Sequence, residues 1–98
     1  MIYMEDRHWK IVSEILSRYP YTFYAFGSRA KGDHKRLSDL DLYSPDPIPS
    51  NAWGNLTEEF EESDLPFKVD VLLRKDTRDD FLKLIEKDFV LVQKAPSP

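Results

Sequence analysis

Gly27-Ser28 stands ten residues ahead of Asp39-Leu40-Asp41, and Asp70 lies inside the apolar run 67–73. A Gly-Ser pair at a strand-to-helix turn offers backbone N–H groups and a hydroxyl to an anion, and the following helix adds the positive end of its dipole. Phosphate oxygens suit that corner. Side chains in a strand alternate between faces, so Asp39 and Asp41 are expected to point one way while Leu40 and Leu42 point into the core. An acidic residue in a strand as apolar as the one around Asp70 needs a partner. The expected partner is the divalent cation that Asp39 and Asp41 also face. Oxygen ligands select Mg²⁺ or Mn²⁺, and Mg²⁺ takes one or two carboxylates together with phosphate oxygens and water. Without a cation, three converging carboxylates repel one another by several kcal/mol in total at an effective dielectric of about 20. The competing assignment has Asp39 capping a turn, Asp41 in solvent and Asp70 paired with Lys68.

These residues resemble the nucleotidyltransferase superfamily of DNA polymerase beta-like proteins, whose pattern is Gly-Ser, a spacer of about this length, Asp-x-Asp, and a third acidic residue on a later strand. More narrowly, Gly27-Ser28-Arg29-Ala30-Lys31-Gly32-Asp33 followed by Ser38-Asp39-Leu40-Asp41-Leu42 is similar to the minimal nucleotidyltransferases (MNT), small proteins often made as antitoxins beside a helical HEPN-domain toxin ribonuclease. The resemblance spans Thr22 to Leu73. It implies an α/β (α+β) nucleotidyltransferase fold, a small mixed β-sheet flanked by helices. It also implies an enzyme that moves AMP from ATP to a hydroxyl, on a tyrosine of the toxin, in a hetero-oligomer with that toxin. Asp39, Asp41 and Asp70 are then the catalytic and metal-holding residues, with Mg²⁺ or Mn²⁺ as cofactor, and Gly27, Ser28 and Arg29 bind the nucleoside triphosphate. Two other readings compete: an antitoxin that neutralises its toxin by binding alone, and a transferase acting on a small molecule. The latter usually needs a walled pocket that a second domain would supply.

Composition narrows the classes. Ninety-eight residues make one domain, 1–98, with one modest core, so any cover over the site is expected from a partner. Hydrophobic residues at 41% and charged ones at 33% are ordinary for a globular chain, and no apolar stretch approaches a membrane span. The first residues lack the charged and apolar regions of a secretory signal, and the absence of cysteine excludes disulfides and thiolate ligands. A cytoplasmic location is expected. A net charge of −4 argues against direct nucleic-acid binding. The positive charge is nonetheless clustered: Arg29, Lys31, Lys35 and Arg36 fall beside the phosphate corner, where they would steer a triphosphate.

The elements that must hold these residues follow from periodicity and turn signals. Ile11, Val12, Ile15, Leu16 and Tyr19 recur at helical spacing after Asp6, a candidate N-cap, so residues 7–19 are predicted helical. Residues 22–26 read as a buried central strand, with Tyr19, Tyr21, Phe23, Tyr24 and Phe26 assigned to the core, and residues 28–31 as a short helix. Residues 40–43 form the next strand, and Pro45, Pro47 and Pro49 stiffen the loop behind it. A helix over 52–63 carries Trp53, Leu56 and Phe60 on one side. Trp53 is the aromatic best placed for a partner, although core packing is the commoner fate. A strand over 67–73 puts Lys68, Asp70 and Leu72 on one face. Thr77 and Asp80 read as a capping box before a helix whose buried stripe is Phe81, Leu84 and Ile85. Residues 90–92 read as an edge strand, and residues 94–98 as a flexible tail. His8 and His34 lack metal-ligand spacing and are expected at the surface.

Overall fold

The computed structural model describes residues 2–96. Helix α1 (Asp6–Ser17) leads to strand β1 (Phe23–Phe26), a single-turn helix α2 (Ser28–Lys31), strand β2 (Leu40–Ser44), helix α3 (Ser50–Glu61) and strand β3 (Val69–Leu73). A short 3₁₀ turn then precedes helix α4 (Asp79–Ile85), a second 3₁₀ turn over Glu86–Asp88, and strand β4 (Val90–Gln93). The strands form one mixed sheet in the order β3-β2-β1-β4; β1 runs antiparallel to both β2 and β4, and β2 runs parallel to β3. A parallel pair needs a crossover long enough to return the chain to its starting edge, and α3 supplies it.

One sheet face is dry. Phe23 and Ala25 of β1, Leu40 and Leu42 of β2, and Val69, Val71 and Leu73 of β3 pack beneath Val12, Ile15 and Leu16 of α1 and Leu56 and Phe60 of α3. Burying a large apolar side chain of this kind contributes about 1.5–3 kcal/mol. That face therefore anchors β2 and β3 and decides which way their alternate residues point. Glu59 of α3 ties the two helices together by accepting from Tyr19 and from Arg18. Its hydrogen bond to the Tyr19 hydroxyl raises the phenol pKa to about 12. On the opposite face Phe89 stacks on Tyr24 and Tyr43, with ring centroids 5.0 and 5.2 Å away.

Three local expectations are corrected. Asp6 is the first residue of α1 rather than its cap; Glu5 holds the cap position and makes no side-chain cap bond. Thr77 is not half of a capping box: its buried hydroxyl donates to the Leu73 carbonyl at 2.7 Å, and α4 starts after Arg78 without a side-chain cap. The α4 stripe is only partly buried, since Ile85 is covered while Phe81 and Leu84 are 43% and 61% exposed. Helical spacing shows that residues share a face, not that another element covers it.

His8 is also not a surface residue. It is buried edge-on against Phe67, with ring centroids 5.5 Å apart. At the other end, Gln93 donates to the carbonyls of Tyr19 and Tyr21, and the Ala95 N–H donates to the Thr22 hydroxyl at 3.0 Å, so the chain stays tied to the segment leading into β1 as far as residue 95. Of the tail over 94–98, residues 97 and 98 lie outside the described residues. Among the described residues no helix is long and apolar enough to cross a membrane.

Candidate active site at the β1–α2 turn and the β2–β3 carboxylates

Gly27 closes β1 with φ +77° and ψ −156°, a conformation essentially reserved for glycine. Its carbonyl accepts from the N–H groups of Ala30 and Lys31, both at 3.1 Å, which starts the single turn of α2. Gly32 ends that turn in the left-handed region, and its N–H donates to the Ser28 carbonyl at 2.9 Å. Ser28 is thus the first helical residue, half-buried at the corner where a helix leaves its early N–H groups without partners inside the helix.

Asp41 lies under this corner. Phe26, next to Gly27, is its ladder partner across β1 and β2. A Cβ placed on Gly27 would stand 2.7 Å from Asp41 Oδ2. The carboxylate therefore packs against bare backbone: φ calls for glycine, and an added Cβ would displace the carboxylate. On the other side, Asp41 pairs with Asp70 across the parallel β2–β3 ladder, so both carboxylates leave the same sheet face on strands about 4.8 Å apart. Asp39 sits just before β2 rather than within it, exposed at the mouth of the strand. Burial is the main reason that the Asp41 carboxyl pKa rises to about 6, with the charges of Asp70 and Asp39 adding to it.

The three carboxylates thus share one electrostatic neighbourhood without forming a ready cage. Among the described residues, no three His, Cys, Asp or Glu side chains are gathered as ion ligands. Asp70, about half-exposed, leans towards Lys68, whose Nζ is 4.0 Å from Oδ1. Such a loose, solvated pair contributes little to stability.

The expected role of Arg29 is corrected by its position. Its guanidinium is buried, 3% exposed, 4.0 Å above the Phe67 ring. It donates to the carbonyls of Ser38 at 2.9 Å, Tyr3 at 3.1 Å and Arg36 at 3.1 Å. Burial lowers its pKa from the ordinary value. These donors hold the 33–39 loop and, through Ser38, the start of β2 beside Asp39; they are not aimed at a phosphate. Arg29→Lys is expected to lower stability by about 2–3 kcal/mol, because an ammonium cannot reproduce the three-way fork and leaves buried carbonyls unpaired. A denaturant titration checks this, and a variant as stable as the parent would remove the pinning role. Lys31 faces Asp88 at 3.8 Å and stays exposed, as do Lys35 and Arg36, so these three are the exposed members of the basic cluster.

The surroundings are open. A recess of about 740 Å³ beside Tyr3, Arg7, His34 and Arg36 is lined by none of the three carboxylates. A groove of about 530 Å³ between α3 and β3 does include Asp70. Sequence reasoning missed Phe67 as the platform for both Arg29 and His8, because an aromatic residue at a strand entrance reads simply as core.

Comparisons with known proteins give the family and the fold. The family model of the nucleotidyltransferase domain matches residues 5–92. The chain is 48% identical over 75 residues to the "Probable protein adenylyltransferase MntA" of Haemophilus influenzae, an alignment covering 74% of this chain and 66% of that protein. It therefore spans about two-thirds of that relative's length. Among solved structures, a "toxin-antitoxin with AMP-PNP" superposes with a TM-score of 0.64 at 18% identity, over 88% of this chain and 73% of that one, which supports the fold alone. A "putative nucleotidyltransferase" from Sulfolobus solfataricus gives a TM-score of 0.52 at 26% identity, covering 89% and 77% of the two chains. Because the family match takes in β1 to β3, most of β4, the Gly27 turn and all three aspartates, the chain belongs to the nucleotidyltransferase domain family.

Proposed function

We propose that this chain is an adenylyltransferase that moves AMP from ATP to a tyrosine hydroxyl of a partner HEPN-domain toxin, and that it acts in the cytoplasm as the antitoxin. The observation that carries this reading is the ladder pairing of Asp41 with Asp70 under a glycine turn that packs directly on the Asp41 carboxylate. Two adjacent acids on an open sheet face are costly unless a cation and a phosphate chain occupy the space before them. Support for the substrate class comes from the H. influenzae relative, a probable protein adenylyltransferase, and the toxin partner is what the resemblance of the Gly27–Asp33 and Ser38–Leu42 motifs to the minimal nucleotidyltransferases implies.

The donor set suits Mg²⁺ or Mn²⁺: it is all carboxylate oxygen, and Asp41, whose pKa is raised first by burial and then by the charges of Asp70 and Asp39, is a carboxylate that such an ion would hold ionised. Asp39 and Asp41 would hold the ion, with Asp70 as the third ligand. When bound, the ion supplies charge neutralisation for the triphosphate and lowers the pKa of the attacking hydroxyl. The backbone N–H groups at the start of α2, with Ser28, hold the outer phosphates and leave the α-phosphorus above the sheet face. The acceptor oxygen forms a bond to that phosphorus, the bond to pyrophosphate breaks, and the phenolic proton passes to Asp70. Tyrosine suits this step, since its phenol ionises at about pH 10, far below a serine hydroxyl.

The test is incubation with ATP, Mg²⁺ and the protein encoded beside this chain. The expected result is one or more AMP masses on a tyrosine of that protein and loss of its RNA cleavage, both blocked by Asp70→Asn. If the variant lacking all three carboxylates still silences an unmodified partner at stoichiometric ratio, the transfer mechanism falls and neutralisation by binding replaces it.

A further inference from the structure

We propose that the acceptor reaches this site as an extended polypeptide segment that adds as a fifth strand to the outer edge of β3, with the acceptor residue opposite Asp70. The inference rests on the transfer reading above and specifies where and in what register the acceptor lies. Strand β3 ends the sheet, so among the described residues one side of it has no strand neighbour. The Leu40 N–H donates to the Lys68 carbonyl at 2.9 Å, with Leu40 opposite Val69 in the ladder. In a parallel ladder this phase turns the backbone groups of Asp70 and Leu72 towards β2 and those of Val69 and Val71 outward. The outward direction is seen directly at Val71, whose carbonyl accepts from the Trp53 indole at 3.0 Å.

The outward groups recur about every 6.6 Å along the edge, the repeat of an extended backbone. A small acceptor has no donors and acceptors at that spacing. The Trp53 indole occupies the Val71 carbonyl as an incoming backbone N–H would, and so ends the free edge and sets the register. Residues that face each other across a ladder share a sheet face, with Cβ atoms about 5 Å apart. A residue opposite Asp70 therefore presents its side chain beside the Asp70 carboxylate. Its two neighbours point to the other face, where the groove of about 530 Å³ under α3 is lined by Trp53, Thr57, Phe60 and Leu65 together with the exposed Glu61 and Lys68. The segment is thus a hydroxyl residue flanked on both sides by apolar residues.

The experiment uses the full chain, ATP and Mg²⁺ with a blocked synthetic peptide of core Val-Tyr-Val, against the same peptide with core Asp-Tyr-Asp. Amide hydrogen exchange of the chain and AMP transfer to the peptide are measured in parallel. Exchange at the Val69 and Val71 amides is expected to slow by about tenfold or more with the first peptide only, and transfer is expected to favour it by about tenfold or more in kcat/KM. Thr57→Arg and Thr57→Trp fill the groove by different chemistry; each should abolish both effects and leave ATP binding intact. Protection of those amides without transfer keeps the edge docking and sinks the transfer reading. Transfer without protection and without flank preference overturns the docking and keeps the transfer reading. Failure of the first peptide to bind overturns the docking.

Discussion

Asp41→Asn is expected to make the metal-free protein more stable at neutral pH while reducing AMP transfer by about a thousandfold or more. Both effects come from one charge. The folded-state pKa of Asp41 is about 6, against 3.8 for the unperturbed group, because burial and the charges of Asp70 and Asp39 disfavour the ionised form. A carboxyl whose pKa is raised on folding leaves stability intact below the unfolded value and removes it as pH rises through the folded value. Unfolding free energy should therefore fall between about pH 4 and pH 6 in the parent, by about 1–3 kcal/mol. In Asp41→Asn that fall should be absent. Mg²⁺ with ATP should restore the parent, because a ligand that binds only the folded state stabilises it by mass action, and should do little for the variant. Thermal melts across this pH range, with chelator and then with Mg²⁺, give the answer. A variant less stable than the parent in chelator would make the carboxylate a structural group and remove the argument from electrostatic cost.

Gly27→Ala should do the reverse, lowering stability by about 2–4 kcal/mol and removing ATP binding together. The residue has φ +77° with an extended ψ, and the added methyl would sit 2.7 Å from Asp41 Oδ2. Either the turn opens or the carboxylate moves, and each displaces the phosphate corner from the acidic pair. The other two glycines calibrate the effect. At Gly32, φ is +87° and a Cβ would meet the Tyr3 ring at 3.0 Å, so alanine there should cost stability without reaching the site. At Gly54, within α3, an added Cβ would meet no other part of the described chain within 4 Å beyond the helix's own backbone, and alanine should stabilise by about 0.5–1 kcal/mol through helix propensity. Calorimetric ATP titration beside denaturant unfolding of the three variants separates strain from site geometry. Retained ATP affinity in Gly27→Ala would show that the turn and the carboxylates act independently.

Much of this arrangement is local and was legible in the residues themselves. The two-residue alternation of Leu40, Asp41 and Leu42, and of Val69, Asp70 and Val71, assigns opposite faces to acid and apolar side chains. The strands observed keep that assignment, because exchanging the faces would put carboxylates into the core. The glycine at the end of an aromatic strand likewise announced a turn that only glycine makes. What the sequence could not supply was phase between distant segments. Asp41 stands beside Asp70, rather than one residue out of step, because α3 spans the crossover and the apolar face locks the parallel register. Arg29 carries a phosphate-binding look on sequence, yet its surroundings come from residues 3, 36, 38 and 67, remote in the chain, and a guanidinium surrounded by carbonyls is a loop fastener. The apolar spacing of Phe81 and Leu84 marked a common helix face but not its cover, since coverage depends on which elements pack against it. Residue type and period set which way each side chain points; only tertiary packing decides what it meets.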